Sequence, residues 1–201
     1  MPRQVDYDSR RRQIVAAAFA LVSEQGLEGM TMRDVAARAG VSVGAVQRCF
    51  AGKEELMASV VEDMNERVSA RVQGWIADSA DPDSATTMLR HTLAGIMPHD
   101  GTTLAENRAW LAFAAHAAVT PALAAIQREQ YDGLAELVAL LLRTAQASGD
   151  VRSDADTDGE ADALIALADG LSMQVLMGRR TPDAALATLD RQLAALRAAA
   201  Q

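Results

Sequence analysis

The sequence of 201 residues contains one cysteine, Cys49, and only seven aromatic residues, and each scarcity excludes a class of protein. A single cysteine cannot form a disulfide within the chain, so the fold needs no oxidising compartment and a cytoplasmic location is expected. With so few aromatic rings, the core must consist mainly of aliphatic side chains. Five prolines in a chain rich in alanine and leucine favour helix and make an all-β fold improbable.

Long hydrophobic runs are also scarce. The N-terminus carries charged residues, Arg3 and Asp6, where a signal peptide requires an apolar stretch, so we expect no secretion signal. The longest uncharged run, 109–127, is slightly short for a bilayer span and contains polar residues and a proline. The sequence therefore predicts no membrane segment.

Motifs for catalysis and metal binding are missing as well. The three histidines lack metal-ligand spacing, and no zinc-protease, paired-cysteine, nucleophile-elbow or phosphate-loop pattern occurs. Residues 154–165 match much of an EF-hand loop, but Ile165 stands where calcium needs a bidentate glutamate. We interpret this segment as an acidic loop before a helix. We predict no metal, no cofactor and no enzymatic activity, although scattered carboxylates would still permit an active site.

Almost every segment repeats its apolar residues at helical spacing. Capping residues, glycines and prolines divide the chain into nine helices: one between a cap at Ser9 and Gly26, one over 31–40, one over 42–49, a long one from Glu54 to the stop at 81–83, and five more over 84–97, 103–118, 122–148, 159–179 and 183–199. The predicted fold is all-α, with the helices in two unequal groups and one long helix joining them.

The short early helices have helix-turn-helix spacing. Gly40 permits the unusual backbone angles of the turn, Val41 can fill the angle between the helices, and Ser42 can cap the helix that follows. In such a unit the second helix enters the major groove of DNA, and helix N-termini lie near phosphates.

The overall charge of −8 argues against a polyanionic partner only until it is divided along the chain. Residues 1–53 hold eight basic and five acidic residues, a net charge of +3. Residues 54–201 hold eleven basic and twenty-two acidic residues, a net charge of −11. The acidity thus belongs to the C-terminal part and does not exclude DNA binding by the N-terminal part.

The N-terminal region resembles the TetR family of bacterial one-component transcription regulators. The resemblance extends from residue 11 to about residue 64 and is carried by 12–18 (RQIVAAA), Gly26, 31–36 (TMRDVA), 39–45 (AGVSVGA), Phe50 and 53–56 (KEEL). It implies a DNA-binding domain over 9–55 with its helix-turn-helix at 31–50, and a larger helical domain for effector binding and dimerisation over 56–201.

The resemblance also implies which residues contact DNA. Lys53, the only lysine, should touch a phosphate at the start of the fourth helix, unless it is an ordinary solvated side chain. Family members often carry aromatic or histidine residues where this chain has Gln47 and Cys49. Gln47 can instead pair with adenine and Arg48 with guanine or phosphate, while Cys49 is expected to be a small buried residue. The expected contacts are Thr31, Arg33, Ser42, Val43, Gly44, Ala45, Gln47, Arg48 and Lys53.

Three consecutive arginines, 10–12, have two interpretations. They form an arm that contacts the minor groove or phosphates, or they are a solvated run at the chain terminus. The sequence does not decide between the two.

The last two predicted helices are expected to form a homodimer interface over 159–199. Apolar residues occur all round the first of them, and four leucines form a seam along the second, although both helices could instead complete a monomeric core. The seam consists of Leu186, Leu189, Leu193 and Leu196. A two-fold dimer would place two reading helices on a pseudo-palindromic operator in double-stranded DNA.

The C-terminal part also looks like the BetI-type domain of one branch of the family. The similarity is carried by 110–113 (WLAF), 121–123 (PAL), Tyr131, Gly149, 168–171 (ADGL) and Gln174. It implies a small-molecule effector, and scarce aromatic and soft side chains are the pocket candidates, although most of them will be core. These candidates are Trp75, Met88, Met97, Trp110, Phe113, His116, Tyr131, Met173 and Met177.

The predicted function is a ligand-responsive repressor that an effector releases from DNA. The alternative is a small-molecule-binding or enzymatic helical protein that keeps a vestigial DNA-binding unit.

Overall fold

The computed structural model describes residues 2–28 and 30–198, and within them the chain forms nine α-helices. No strand occurs in these residues, and a single isolated bridge pairs Val151 with Arg197. The all-α prediction is confirmed. The helices are α1 Pro2–Gln25, α2 Met32–Arg38, α3 Val43–Cys49, α4 Lys53–Ala77, α5 Ala85–Gly95, α6 Gly101–Ala117, α7 Pro121–Ala147, α8 Thr157–Leu176 and α9 Pro182–Ala195.

Short polar side chains begin several of these helices. Ser84, Asp156 and Thr181 accept hydrogen bonds from the amides of Thr87, Gly159 and Ala184 at the starts of α5, α8 and α9. The predicted cap at Ser9 is wrong, because α1 already begins at Pro2 and Ser9 lies inside it. Proline suits a first helical turn, where no amide is needed, and neither glycine nor proline occurs from there to Gln25.

The helices form two compact units. The first unit comprises residues 1–66 and 105–127, and the second comprises 67–104 and 128–201. In the first unit, α1, α2 and α3 pack together around a core that contains Ile14, Val46 and Phe50. In the second unit, α8 packs on α9, and α5 packs on both. The predicted long helix α4 contributes residues to both units, but α6 and α7 do so as well, so α4 is one of three helices shared by the two units.

The leucine seam of α9 faces the core of its own unit. Leu189 and Leu196 are 0% and 3% exposed, and Leu186 and Leu193 pack against the same core. Using the seam as a sign of dimerisation was therefore wrong, because the spacing shows that one face is apolar but not what covers it. The predicted interface range also ends at residue 199, which lies outside the described residues.

None of the helices in residues 2–28 and 30–198 combines the length and the hydrophobicity that a bilayer crossing requires.

Candidate functional site

Helix α2 is fixed at its start by a reciprocal pair of hydrogen bonds. The Thr31 hydroxyl accepts from the Asp34 amide at 3.2 Å, and the Asp34 carboxylate accepts from the Thr31 amide at 3.1 Å. This capping box confirms the predicted helix start. The hydrogen bond from the Thr31 hydroxyl is the main reason why the pKa of Asp34 lies below its usual value. Arg33 follows the cap and is exposed, so its guanidinium is accessible.

The turn between α2 and α3 has the geometry that its residues predict. Gly40 has a φ of +65°, a left-handed conformation that glycine adopts without strain. Val41 packs against the first unit's core, and the Ser42 hydroxyl accepts from the Ala45 amide at 3.1 Å. Helix α3 therefore begins immediately after a tight turn, as a helix-turn-helix requires.

Helix α3 has one exposed face and one buried face. Gln47 and Arg48 are exposed, as is Gly44, whereas Val46 and Cys49 are buried in the core. Ala45 is only 5% exposed and Val43 is half-buried against the core. The prediction that Ala45 contacts DNA is therefore corrected, because its methyl group is buried. The burial of Cys49 confirms its predicted role as a small core residue.

A bidentate ion pair fastens α2 to α1. The Arg38 guanidinium donates to both carboxylate oxygens of Glu24, at 3.1 and 2.5 Å. The hydrogen bonds from Arg38 lower the pKa of Glu24. Both groups are exposed, so the pair sets the orientation of α2 more than it adds stability.

Lys53 is anchored within the protein. Its Nζ donates to the Leu27 carbonyl oxygen at 2.7 Å, in the turn that follows α1. An ammonium group has three N–H donors, so this bond leaves donors for another acceptor. The structure thus joins Lys53 to the α1–α2 turn and leaves a phosphate contact as a prediction.

Two further side chains of α1 reach the helix-turn-helix, and sequence reasoning missed both contacts. Gln13 donates to the Ala39 carbonyl at 2.7 Å, where α2 ends. Arg11 donates to the Cys49 carbonyl at 2.7 Å, where α3 ends, so it is neither part of a freely solvated run nor part of an extended arm. Arg12, the next residue, is exposed. Contacts across so many residues leave no periodic signal in the sequence, although Gln13 belongs to the motif at 12–18 and Arg11 directly precedes it.

In the second unit, two histidine rings and an arginine side chain lie close to the Trp75 ring. Its ring centroid lies 4.8 Å from that of His99 and 6.0 Å from that of His91, and the Arg71 guanidinium carbon lies 5.9 Å from the Trp75 centroid. Burial, and then the charge of Arg90, lowers the pKa of His91. In the sequence, His91 and His99 show only that they lack metal-ligand spacing. Their contacts with Trp75 depend on tertiary packing.

The Tyr131 hydroxyl donates to the Asp169 carboxylate at 2.5 Å and joins α7 to α8. Burial raises the pKa of Asp169, while the hydrogen bond from Tyr131 opposes this rise. Both residues belong to the motifs that suggested a BetI-type domain. Tyr131 is therefore held by a polar contact inside the second unit.

The predicted effector residues divide between the two units. Trp110, Phe113 and His116 lie on α6 in the first unit, where Phe113 is 1% exposed and belongs to the core. Trp75, Met88 and Tyr131 pack against the core of the second unit, in which Met97 is fully buried. Met173 on α8 is 39% exposed, and Met177, the C-cap residue that follows α8, is 72% exposed. The prediction that these two methionines line a pocket of this chain is therefore corrected, because both side chains are exposed.

Helix α6 carries buried polar residues that the sequence analysis did not single out. Glu106 is 3% exposed and Asn107 is 8% exposed. Thr103 begins the same stripe, and its hydroxyl accepts from the His99 and Asp100 amides at 2.8 and 2.9 Å. Buried polar groups are usually hydrogen-bonded within the protein, as the Thr103 hydroxyl is here.

Comparisons with known proteins agree with this geometry. Residues 14–60 match the model of the family described as bacterial regulatory proteins, tetR family, and residues 85–198 match that of the BetI-type transcriptional repressor, C-terminal. The second match alone covers more than half of the chain. The chain belongs to the TetR family of transcriptional regulators.

Relatives of this TetR-family regulator match it over most of their length. It is 30% identical to the HTH-type transcriptional regulator PksA of Bacillus subtilis, over 88% of this chain and 83% of PksA. It is 31% identical to BetI 2 of Chromohalobacter salexigens, over 96% of this chain and 89% of that protein. The solved structure of a transcriptional regulator from Saccharomonospora viridis in complex with choline is 26% identical, with a TM-score of 0.81 and coverage of 92% and 95%.

Family membership decides between the two functions that the sequence left open. The protein is a DNA-binding transcriptional regulator and not an enzyme. Regulators of this family bind operator DNA and effectors, typically as dimers. In this TetR-family chain, the acidic residues at the start of α8 stabilise that helix. Asp156 is its N-cap. In its first turn, Glu160 pairs with Arg152 at 3.0 Å and Asp158 pairs with Arg143 at 2.8 Å.

Proposed function

We propose that this TetR-family regulator is a ligand-responsive repressor that binds a pseudo-palindromic operator as a homodimer. The observation that carries the proposal is the two-sided character of α3, whose inner face packs in the core while Gln47 and Arg48 are exposed. Exposed polar side chains on the second helix of a helix-turn-helix are placed to read base edges in the major groove. The net charge of +3 in residues 1–53 favours the approach of DNA.

The proposed DNA contacts fall into two classes. Gln47, Arg48 and Gly44 form the reading face of α3, together with the exposed edge of the half-buried Val43. Phosphate contacts come from the starts of α2, α3 and α4, where amide donors and a partial positive charge attract anions. Thr31, Arg33, Ser42 and Lys53 occupy these starts.

The dimer is proposed to form through the outward faces of α8 and α9. Met173 and Met177 are exposed large hydrophobic residues, and Ala163, Ala166 and Gly170 extend their face of α8 at helical spacing. Small residues allow a partner helix to approach closely, and the methionines supply apolar area. Recognition of a pseudo-palindromic operator requires such a dimer, whose two α3 helices would contact half-sites about 34 Å apart, one turn of DNA.

The effector is proposed to bind the helical domain over 56–201, as distinct from the DNA-binding domain over 9–55. The BetI-type match over 85–198 and the choline complex of the Saccharomonospora relative support a small-molecule ligand. Trp75, Met88 and Tyr131, which pack against the core of the second unit, are the proposed contacts. Release from DNA would follow by linkage. A ligand that binds more tightly to the dimer in which the two α3 helices are wrongly spaced for DNA lowers DNA affinity by at most the ratio of its affinities for the two states.

The experiment uses the purified full-length protein and a duplex that it selects from a randomised pool. Choline and a panel of small cations and apolar compounds are first screened for compounds that raise the unfolding temperature. We expect any such compound to weaken duplex binding in fluorescence anisotropy. A compound that stabilises the protein but leaves duplex affinity unchanged would contradict the proposed switch. Because a bacterial regulator meets operator DNA in the cytoplasm, the proposed site of action is the cytoplasm.

A further inference from the structure

The Arg11 side chain connects three helices at the end of the reading helix. From α1, its Nη1 donates to the Cys49 carbonyl at 2.7 Å, and its Nη2 donates to the Ser59 hydroxyl on α4 at 2.8 Å. Its guanidinium carbon lies 4.3 Å from the centroid of the Phe50 ring. Glu55 lies 3.6 Å from Nη1 and supplies the opposite charge.

These contacts meet a need that α3 cannot satisfy alone. A helix of seven residues is too short to be stable by itself, and the last carbonyls of any helix lack partners within it. The Phe50 amide donates a hydrogen bond to the Val46 carbonyl oxygen at 2.9 Å, and the Arg11 guanidinium donates one to the Cys49 carbonyl oxygen. A cation at this end also complements the partial negative charge of a helix C-terminus.

We propose that Arg11 is a positioning residue for DNA recognition, which fixes the end of α3 and thereby the direction of Gln47 and Arg48. The proposal rests on the proposed role of α3 in reading DNA. It assigns Arg11 a role different from either interpretation of the arginine run, because both terminal nitrogens of its guanidinium are engaged inside the protein.

The geometry predicts that lysine cannot replace this arginine. A guanidinium can bond two acceptors from one plane while that plane lies over a ring, whereas an ammonium is a point charge on a flexible stem. Ser59 offers a second test, because it is only 9% exposed and Ser59→Ala removes one acceptor without changing any charge. Arg12→Lys is the matched control, since Arg12 is the next residue and is exposed, and the lysine keeps the positive charge through which an arm would contact phosphates.

The experiment measures the binding of the full-length variants Arg11→Lys, Ser59→Ala and Arg12→Lys to two duplexes. One duplex is selected by the wild type from a randomised pool, and the other is its scrambled sequence. Arg11→Lys should reduce the preference for the selected duplex about tenfold, the order that a charge-assisted hydrogen bond supports. Ser59→Ala should change it in the same direction by less, and Arg12→Lys should leave it unchanged. Simple loss of folded protein would weaken both duplexes equally.

A second readout requires no DNA. Amide hydrogen exchange over 43–49 should be faster in Arg11→Lys and Ser59→Ala than in the wild type or Arg12→Lys. Arg11→Ala should keep the wild-type salt dependence, whereas a phosphate contact would reduce its slope by about one. The proposal would be overturned if Arg11→Lys kept both the wild-type preference for the selected duplex and the wild-type rate of amide hydrogen exchange over 43–49. A wild type that prefers no duplex would instead refute the reading role of α3, with the exchange data still testing the position of Arg11.

Discussion

The Nζ of Lys53 and the carbonyl oxygen of Leu27 lie 2.7 Å apart, in a hydrogen bond that joins the first turn of α4 to the turn after α1. The bond holds the only lysine of the chain at a helix start, in the first unit. It gives Lys53 a fixed position from which a phosphate contact requires little further ordering of the side chain.

Lys53→Ala should weaken binding to every DNA sequence and reduce the slope of log affinity against log salt by about one, because one phosphate contact is lost. The measurement is fluorescence anisotropy over a series of salt concentrations. Arg179→Ala, which removes an exposed cation from the second unit, is the control and should keep the wild-type slope. An unchanged slope in Lys53→Ala would show that Lys53 makes no phosphate contact and that its role is the hydrogen bond to Leu27.

Gln47→Ala should alter base preference at one position in each half-site, by about 1–3 kcal/mol, if the Gln47 amide pairs with an adenine edge. Affinity for scrambled DNA should change little, since no charge is removed. Selection from a randomised duplex pool measures the preference. Gln73→Ala, which changes an exposed glutamine of α4 in the second unit, should leave the selected sequence as it is. The same selected sequence for Gln47→Ala and the wild type would remove Gln47 from the reading face.

Gly95→Ala should destabilise the protein. A Cβ on Gly95 would lie 2.2 Å from Cγ2 of Val72, so α5 and α4 approach where only glycine fits. Overpacking of this kind costs about 1–3 kcal/mol, which denaturant unfolding can measure. Gly133→Ala is the control, because a Cβ there would meet no atom within 4 Å other than its chain neighbours and the nearby backbone of α7, and alanine should stabilise that helix by about 1 kcal/mol. Equal stability of the two variants would contradict the close approach.

Tyr131→Phe should raise the pKa of Asp169 further, because it removes the hydrogen bond that opposes the effect of burial. A folded-state pKa above the unfolded value of about 3.9 means that ionisation disfavours the folded state. The contribution of this carboxyl to the free energy of unfolding therefore falls as the pH rises from its unfolded-state pKa through its folded-state pKa. Tyr131→Phe should widen the pH range between these two pKa values.

The pH dependence of denaturant unfolding and an NMR titration of the Asp169 carboxyl carbon test this sign. Asp169→Asn, which cannot ionise, should lack the pH-dependent loss. A lower pKa of Asp169 in Tyr131→Phe would show that the hydroxyl does not stabilise the carboxylate.

Met177→Asp should convert the protein to a monomer in analytical ultracentrifugation, because it would bury a charge at the proposed α8–α9 interface. The monomer should also lose most of its affinity for a palindromic duplex. Val119→Asp is the matched control, since Val119 is an exposed apolar residue of the first unit at 79%, against 72% for Met177. A dimeric Met177→Asp variant would place the interface elsewhere.

The helices could be predicted because their signals are local. Thr31 and Ser42 stand at helix starts, and glycines with positive φ at positions 26 and 40 follow helix ends, within a few residues of the apolar pattern that they bound. The one wrong start, at Ser9, came from treating a capping residue as a boundary although nothing before it breaks a helix.

Contacts between distant residues could not be predicted in this way. The periodicity of Leu186 and Leu193 shows an apolar face, yet both a partner subunit and the protein's own core would satisfy it. Arg11 is one of three consecutive arginines, and only the fold reveals that it bonds the carbonyl of Cys49, 38 residues away. The charge and spacing of a residue thus indicated its chemistry, whereas its partner depended on tertiary packing.

The most direct test of the central claim is selection of bound fragments from the source organism's genomic DNA by the purified full-length protein, with a Gln47→Ala/Arg48→Ala variant in parallel. We expect the wild type to enrich fragments that share a pseudo-palindrome with half-sites about one helical turn apart, and the variant to lose this enrichment. Fragments without a shared palindrome, or the same palindrome recovered by the variant, would contradict recognition by α3 in a dimer.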